Sequence, residues 1–326
     1  MADRAECWRR VVSTTLEDLH DLVADYLRVR RSLGYKLDNA EYILGRFLAY
    51  LHEHDAHGVT VEHALGFATA PPAGTPRTQA LRLSAIRCFA RWAHCQDPDI
   101  EVPSARLLPA RPTRVAPYIY TGEEIQALLA AAGLLRPELR AATYRTLIGL
   151  MAATGIRTGE VVGLDIASLD QRGGTLTVRG KYDKIRLLPL HSTVVDALTD
   201  YLQQRDRLLP AATCPALLIS TKSTRLRPTI VQQTFRGLVH QAGLGPASSS
   251  CRPRLHDFRH AFAVSTMLDA YRSGADPAVV LPVLSTWLGH TEPRDTSGYL
   301  SGTAELLAAA TERLEASGPL DERSRS

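Results

Sequence analysis

Apolar residues recur three and four positions apart from Leu16 onward: Leu16, Leu19, Leu22, Val23, Tyr26 and Leu27. That spacing is the stripe an amphipathic helix needs to bury one face. A second stripe follows Asp38, with Ile43, Leu44, Phe47, Leu48 and Leu51, and Val59 to Phe67 predicts a third helix. The run from Ala70 to Gly74 (APPAG) breaks the pattern. A long helix then spans about Pro76 to His94. Its apolar face is Leu81, Leu83, Ile86, Phe89, Ala90 and Trp92, and its polar side carries Arg77, Arg82, Arg87 and Arg91.

Between Pro103 and Pro117 the periodicity stops, and four prolines and three arginines follow in fifteen residues, Arg111 and Arg114 among them. Such a composition reads as a stiff, extended, basic linker. The pattern therefore predicts a leader over 1–15, a helical domain over 16–105, a linker over 106–117, a second domain over 118–316 and a polar tail over 317–326. The boundary falls near residue 112.

The second domain opens with Thr121 and Glu124 in capping-box spacing. Tyr144 to Ala153 predicts a buried helix that stops at Thr154-Gly155, where glycine accepts the left-handed turn. Two β-like runs follow, Thr175 to Arg179 and Ile185 to Leu190, separated by the turn Gly180-Lys181-Tyr182-Asp183-Lys184. Helices resume at Val194 to Leu208 and Thr229 to Ala242, and an Ala/Leu/Glu-rich helix covers Ala304 to Leu314.

Composition narrows the function classes. Of 326 residues, 45% are apolar and 22% charged, ordinary for a globular protein large enough for two cores. The formal charge of +4 is compatible with nucleic acid without requiring it. Arginine outweighs lysine, which suits phosphate recognition and equally follows from GC-rich coding. Likewise the helix arginines fit a phosphate-tracking stripe or a plain solvated face. The five cysteines, Cys7, Cys88, Cys95, Cys214 and Cys251, form no CxxC pair, so the expectation is reduced thiols in a cytoplasm rather than a disulfide framework or zinc knuckle. Neither a signal core nor a membrane-length apolar run is predicted.

Candidate chemistry lies in the second domain. Breaking a phosphodiester without a metal takes an in-line nucleophile, preorganised cations around the phosphorus, and a proton for the leaving oxygen. Arg157 and Arg259 offer forked donors. His256 precedes Arg259 by three, the spacing of one helical face. His290 adds a donor, Lys181 sits in the hairpin turn, Glu160 lies three residues past Arg157, and Tyr299 supplies a phenolic oxygen for a covalent intermediate. Each alone is commonplace; the order and spacing carry the signal. His256, Asp257 and His260 also spell an HDxxxH run that a metal-dependent phosphohydrolase would use, without the further acidic ligands such a centre requires.

The ordered set resembles the tyrosine recombinase (phage integrase) family, Xer-type enzymes included. It rests on AATGIRTGEVVGL around Arg157, VRGKYDKIRLLPL around Lys181, LHDFRHAFA around His256 and Arg259, and WLGH followed nine residues later by Tyr299. The resemblance implies a mostly α fold with a small antiparallel β-sheet: an all-α core-binding domain and an α+β catalytic domain that clamp duplex DNA. It implies that Tyr299 attacks a DNA phosphate to give a 3′-phosphotyrosyl bond, that Arg157, Arg259 and His290 bind that phosphate, that Lys181 protonates the leaving 5′ oxygen, and that His256 assists proton transfer. It implies no cofactor and no metal. The partners implied are a double-stranded recombination site and three further copies, with the Ala304–Leu314 helix docking on a neighbour, all on the bacterial nucleoid in the cytoplasm and away from any membrane. Type IB topoisomerases share the chemistry, and a silent DNA-binding accessory protein would share the fold.

Three departures from the Xer pattern stand out. Tyr182 replaces the usual second glycine of the hairpin, which leaves Lys184 as the alternative to Lys181. Ser301 stands where a histidine often follows the tyrosine. The stretch between Arg259 and His290 is long, with YRSGADPAVVLPVLSTW inserted; this resembles recombinases of transposable elements, some encoded in groups, and predicts integration or excision of a mobile element.

Overall fold

The computed structural model describes residues 16–56, 58–70, 74–108, 116–180, 184–248, 251–290 and 304–316. The chain divides into two compact units, residues 1–114 and 115–326.

In the first unit the described residues form four helices: α1 (Leu16–Ser32), α2 (Asp38–Glu53), α3 (Val61–Thr69) and α4 (Pro76–Ala93). Their stripes meet in one core in which Leu19, Leu44, Phe47, Leu51, Ile86 and Phe89 are all fully buried. Each start has a local cause. The Thr60 hydroxyl accepts from the His63 N–H at α3, and Thr75 accepts from Thr78 at α4, where Pro76 takes the first turn. Both satisfy amides that have no partner inside the helix.

Helix α4 departs from its expected faces. Leu81 is 52% exposed, and the arginines do not share one side. Arg77 and Arg91 are exposed. Arg82 is half-buried with its guanidinium 5.8 Å from the centre of the Phe67 ring, and Arg87 donates to the Ser84 hydroxyl at 3.1 Å. The physical reason is helical geometry. Arg82 lies one residue before the buried Leu83 and four before the buried Ile86, so it flanks the core face instead of opposing it.

The second unit is helical around one small sheet. It contains α5 (Gly122–Gly133), α6 (Glu138–Thr154) and α7 (Thr158–Gly163), then strands β1 (Leu169–Asp170), β2 (Thr175–Arg179) and β3 (Ile185–Pro189). Helices α8 (Ser192–Leu208), α9 (Pro228–Gln241), α10 (Asp257–Arg272), α11 (Pro277–Leu288) and α12 (Ala304–Ala316) follow. The capping box at α5 is made: Thr121 accepts from the Glu124 N–H, and Glu124 accepts from the Thr121 N–H. Helix α6 starts at Glu138, directly after Pro137, earlier than Tyr144; its first buried turns use Leu139, Ala141 and Ala142, too small and too irregular a set for periodicity to reveal.

The sheet runs β1-β2-β3, antiparallel throughout, with Leu176 opposite Leu188 and Val178 opposite Arg186. Side chains alternate across it. Leu176, Val178 and Leu188 are buried, whereas Ile185 and Leu187 stand exposed on the other face. Arg186 therefore points inward on the same face as Leu188. Helix α12 packs on α10 within the same chain, burying Leu306 beside Met267 and Leu288. Among the described residues no helix is long and apolar enough to cross a membrane.

Candidate active site

Two glycines shape the site. Helix α6 ends at Gly155 in the left-handed conformation (φ 64°), and a Cβ there would lie 2.7 Å from the Phe262 ring. The chain can thus turn tightly against α10 only without a side chain. Two residues on, Arg157 takes extended backbone as the residue that opens α7. Helix α11 ends the same way at Gly289 (φ 68°), which brings His290 round to the same region.

Arg259 joins these two helix ends. It is fully buried near the start of α10 and donates to the Gly155 carbonyl at 3.1 Å, to the Leu288 carbonyl at 2.5 Å and to His290 Nε2 at 2.8 Å. A guanidinium can only donate, so His290 Nε2 must be the acceptor. His290 is then the neutral tautomer with its proton on Nδ1. The carbonyls that Arg259 captures lie at or just past helix C-termini, where a cation is favoured.

Arg157 and Glu160 form the second half. The Glu160 side chain is 6% exposed, and its Oε1 accepts from Arg157 Nη1 at 2.9 Å while Oε2 accepts from the Arg157 backbone N–H at 3.0 Å. Arg157 itself keeps 35% of its side chain exposed, so its guanidinium is both anchored and accessible. Burial alone would raise the Glu160 carboxyl, but the hydrogen bonds and charges of Arg186 and Arg157 outweigh it and hold the group below the usual range.

His256 immediately precedes α10 and presents its side chain at the surface. Desolvation on its packed side, then the charges of Arg259 and Arg157, hold its pKa below the ordinary histidine value. It is therefore neutral and able to accept a proton at neutral pH. His260, one turn on, meets it edge-to-face at 5.2 Å between ring centres, and burial pushes its pKa down to about 4. Asp257 is fully buried and accepts from Arg254 Nε at 3.0 Å, Arg254 Nη2 at 2.9 Å and the Arg254 backbone N–H at 3.0 Å. Its oxygens are committed to that arginine, so the HDxxxH run lacks its middle ligand for a metal.

The structure thus brings Arg157, Glu160, His256, Arg259 and His290 together. Lys181, Tyr299, Arg111 and Arg114 lie outside the described residues. Gly180, the residue before Lys181, donates to the Lys184 carbonyl at 2.7 Å. A Cβ built on it would stand 3.6 Å from Glu160 Oε1. The Lys184 side chain is exposed. Arg77, Arg82, Arg87 and Arg91 belong to the other unit.

Several residues of this region escaped the sequence reading. Arg186 donates to both Glu160 oxygens, and Trp287 Nε1 donates to the Thr154 carbonyl at 2.8 Å. Arg225 donates to the Val162 and Leu164 carbonyls, closing the far end of α7. The signal for Arg186 was present in the alternation of β3, where it shares the inward face with Leu188.

A model of the phage integrase family matches residues 119–305, more than half of the chain and nearly all of the second unit. The chain belongs to the phage integrase family. It is a site-specific recombinase of the tyrosine type. The recombinase is 41% identical over 300 residues to y4rB of Sinorhizobium fredii, a protein whose name includes integrase/recombinase, covering 90% of this chain and 96% of that one. It is 32% identical over 240 residues to the tyrosine recombinase XerC of Mycobacterium leprae, covering 71% and 75% of the two chains. Among solved structures, the XerH site-specific recombinase bound to its difH substrate superposes with a TM-score of 0.62 at 19% identity, over 92% of this chain and 85% of that one. The Tn1549 transposon integrase in complex with transposon right-end DNA gives 0.62 at 16% identity, over 91% and 99%. Both share the two-domain, mostly helical fold of this recombinase.

Proposed function

We propose that the protein cleaves and rejoins duplex DNA through a 3′-phosphotyrosyl intermediate on Tyr299, and that it integrates or excises a mobile element. The observation that carries the chemistry is the convergence of Arg157, Arg259 and His290 on the ends of α6 and α11, with neutral His256 beside them. Donors fixed by secondary structure need no reorganisation as charge builds on phosphorus, which is where such catalysis gains most.

In this reading the Tyr299 hydroxyl gives its proton toward His256, and its oxygen attacks the scissile phosphorus. The bond from phosphorus to the 5′ oxygen breaks, and Lys181 protonates that oxygen to leave a free 5′-hydroxyl. Arg157 and His290 meet the non-bridging oxygens. Arg259, being fully enclosed, acts through its charge and by fixing the His290 tautomer. Rejoining is the reverse attack by a 5′-hydroxyl, so the phosphodiester energy is conserved and no cofactor is consumed.

The helical unit and the basic segment with Arg111 and Arg114 grip the flanking duplex. Four copies assemble on DNA, α12 leaving α10 to dock on a neighbour; a lambda integrase tetramer on a Holliday junction shares the fold and supports this reading. The long stretch between Arg259 and His290 favours the mobile-element role over chromosome resolution, with other recombinases of the same element as partners. The site of action is the cytoplasmic nucleoid.

The test uses a duplex carrying the site that the full chain selects from a randomised library, nicked so that the cleaved strand cannot be rejoined. A covalent protein–DNA adduct should accumulate and be absent with Tyr299→Phe. An adduct on any other residue refutes the nucleophile, and no adduct at all refutes the mechanism. Recovery of junctions between the gene's flanking DNA and new sites tests the mobile-element role.

A further inference from the structure

One carboxylate, Glu160, serves two arginines. Its Oε1 accepts from Arg157 Nη1 at 2.9 Å and Arg186 Nη1 at 3.2 Å, and its Oε2 accepts from the Arg157 N–H at 3.0 Å and Arg186 Nη2 at 2.7 Å. Arg186 comes from β3, the strand that follows the lysine-bearing turn, and its side chain is 13% exposed. Its Nε donates to the Trp287 carbonyl at 2.9 Å. Its guanidinium also packs close to Gly289, where an added Cβ would stand 3.0 Å from Nη1 and 3.2 Å from Cζ. One planar side chain therefore touches the Arg157 turn, the end of α11 that leads into His290, and the hairpin.

We infer that Arg186 is a positioning residue for DNA cleavage, which holds the hairpin, Arg157 and His290 in one register and takes up the carboxylate charge that would otherwise turn Arg157 away from the phosphate. The inference rests on the reading that Arg157 and His290 serve the scissile phosphate. Two cations on one buried carboxylate leave a net positive charge at the site. With Arg186 gone, Glu160 has Arg157 as its sole partner among these two, and the attraction between them strengthens in a poorly solvated setting. Lysine replaces it only in part, because a point charge cannot hold two carboxylate oxygens and a carbonyl at once in a fixed geometry.

The experiment measures single-turnover cleavage at saturating nicked duplex, together with DNA affinity and thermal midpoint. Arg186→Gln should cleave about 100-fold more slowly, the cost expected of an ångström-scale misplacement, with DNA affinity near wild type. Arg186→Lys should fold like wild type and recover only part of that loss. The discriminating variant is Glu160→Gln combined with Arg186→Gln. Removing the carboxylate charge should release Arg157, so the double variant should cleave faster than Arg186→Gln alone. A merely structural role predicts that the two losses multiply, and that outcome overturns the inference, as does wild-type cleavage by Arg186→Gln and Arg186→Lys. Arg157→Ala run alongside separates the two levels: normal cleavage by that variant would refute the phosphate reading, whatever Arg186 does.

Discussion

Arg77 and Arg91 on α4 stand exposed to solvent, whereas Arg259 in the second unit is fully buried and bonded to two backbone carbonyls and a histidine. The side chain is the same, and the physics differs. An exposed guanidinium can meet a phosphate as a screened charge, trading with counterions, and so contributes affinity that salt erodes. A guanidinium locked between helix ends has its position and entropy cost settled on folding, so its charge favours the transition state over mere binding. Affinity and rate should therefore separate between the two units.

The largest effect expected from that contrast is on Arg157. Arg157→Ala should slow cleavage by roughly 100- to 1,000-fold, the usual cost of losing one preorganised donor, while DNA affinity in a gel-shift titration changes little. Equal losses in both would erase the distinction between the units. A second strong effect is predicted for Gly155→Ala. Its φ of 64° and the 2.7 Å approach to Phe262 oppose any side chain, and the cost should be about 1–3 kcal/mol of stability in urea denaturation.

Protons probe the catalytic half specifically. His256 and His260 both have pKa values below the ordinary histidine value. The unfolded chain takes up these protons near pH 6.5, while folded His260 resists to about 4. Protons thus favour unfolding, and stability should fall as pH drops from about 6.5 toward 4, readable as a lower urea midpoint. Cleavage should be flat near neutrality and decline once His256 becomes charged, and a profile with no acid limb would remove His256 from proton transfer. The smallest effect belongs to α4. Arg91→Ala should weaken DNA binding a few-fold and reduce the salt slope by about 1, with cleavage at saturating DNA unchanged. Arg82→Ala should do less, since its charge already rests over Phe67; a larger effect for Arg82 would place the DNA on the other side of the helix.

What was legible in the sequence follows the same divide. Stripes such as Leu19-Val23-Tyr26 or Ile43-Phe47-Leu51 announce their helices because burial enforces the period. Gly155 and the Thr121–Glu124 box announce their termini because few residues satisfy those backbones. The order of Arg157, His256, Arg259 and His290 was legible as a motif and was drawn together by the fold. What could not be read was direction. Arg82 looked like its neighbours until Phe67 was placed beneath it, Leu81 looked like core, and Arg259 looked like an open fork until two carbonyls occupied it. Arg186 was hidden because its partners, Glu160 and Trp287, are distant in sequence, and only the register of β3 turns it toward them.

The claim that the Arg157 cluster acts on the charge of the scissile phosphate has a direct measurement. Replacing that phosphate with a methylphosphonate removes its negative charge while keeping the phosphorus open to attack. If Arg157 serves chiefly to offset that charge, Arg157→Ala should regain most of its lost cleavage on the neutral substrate, while wild type gains nothing from it. If Arg157→Ala stays equally impaired on both substrates, the cluster does not act on the phosphate charge and the account fails.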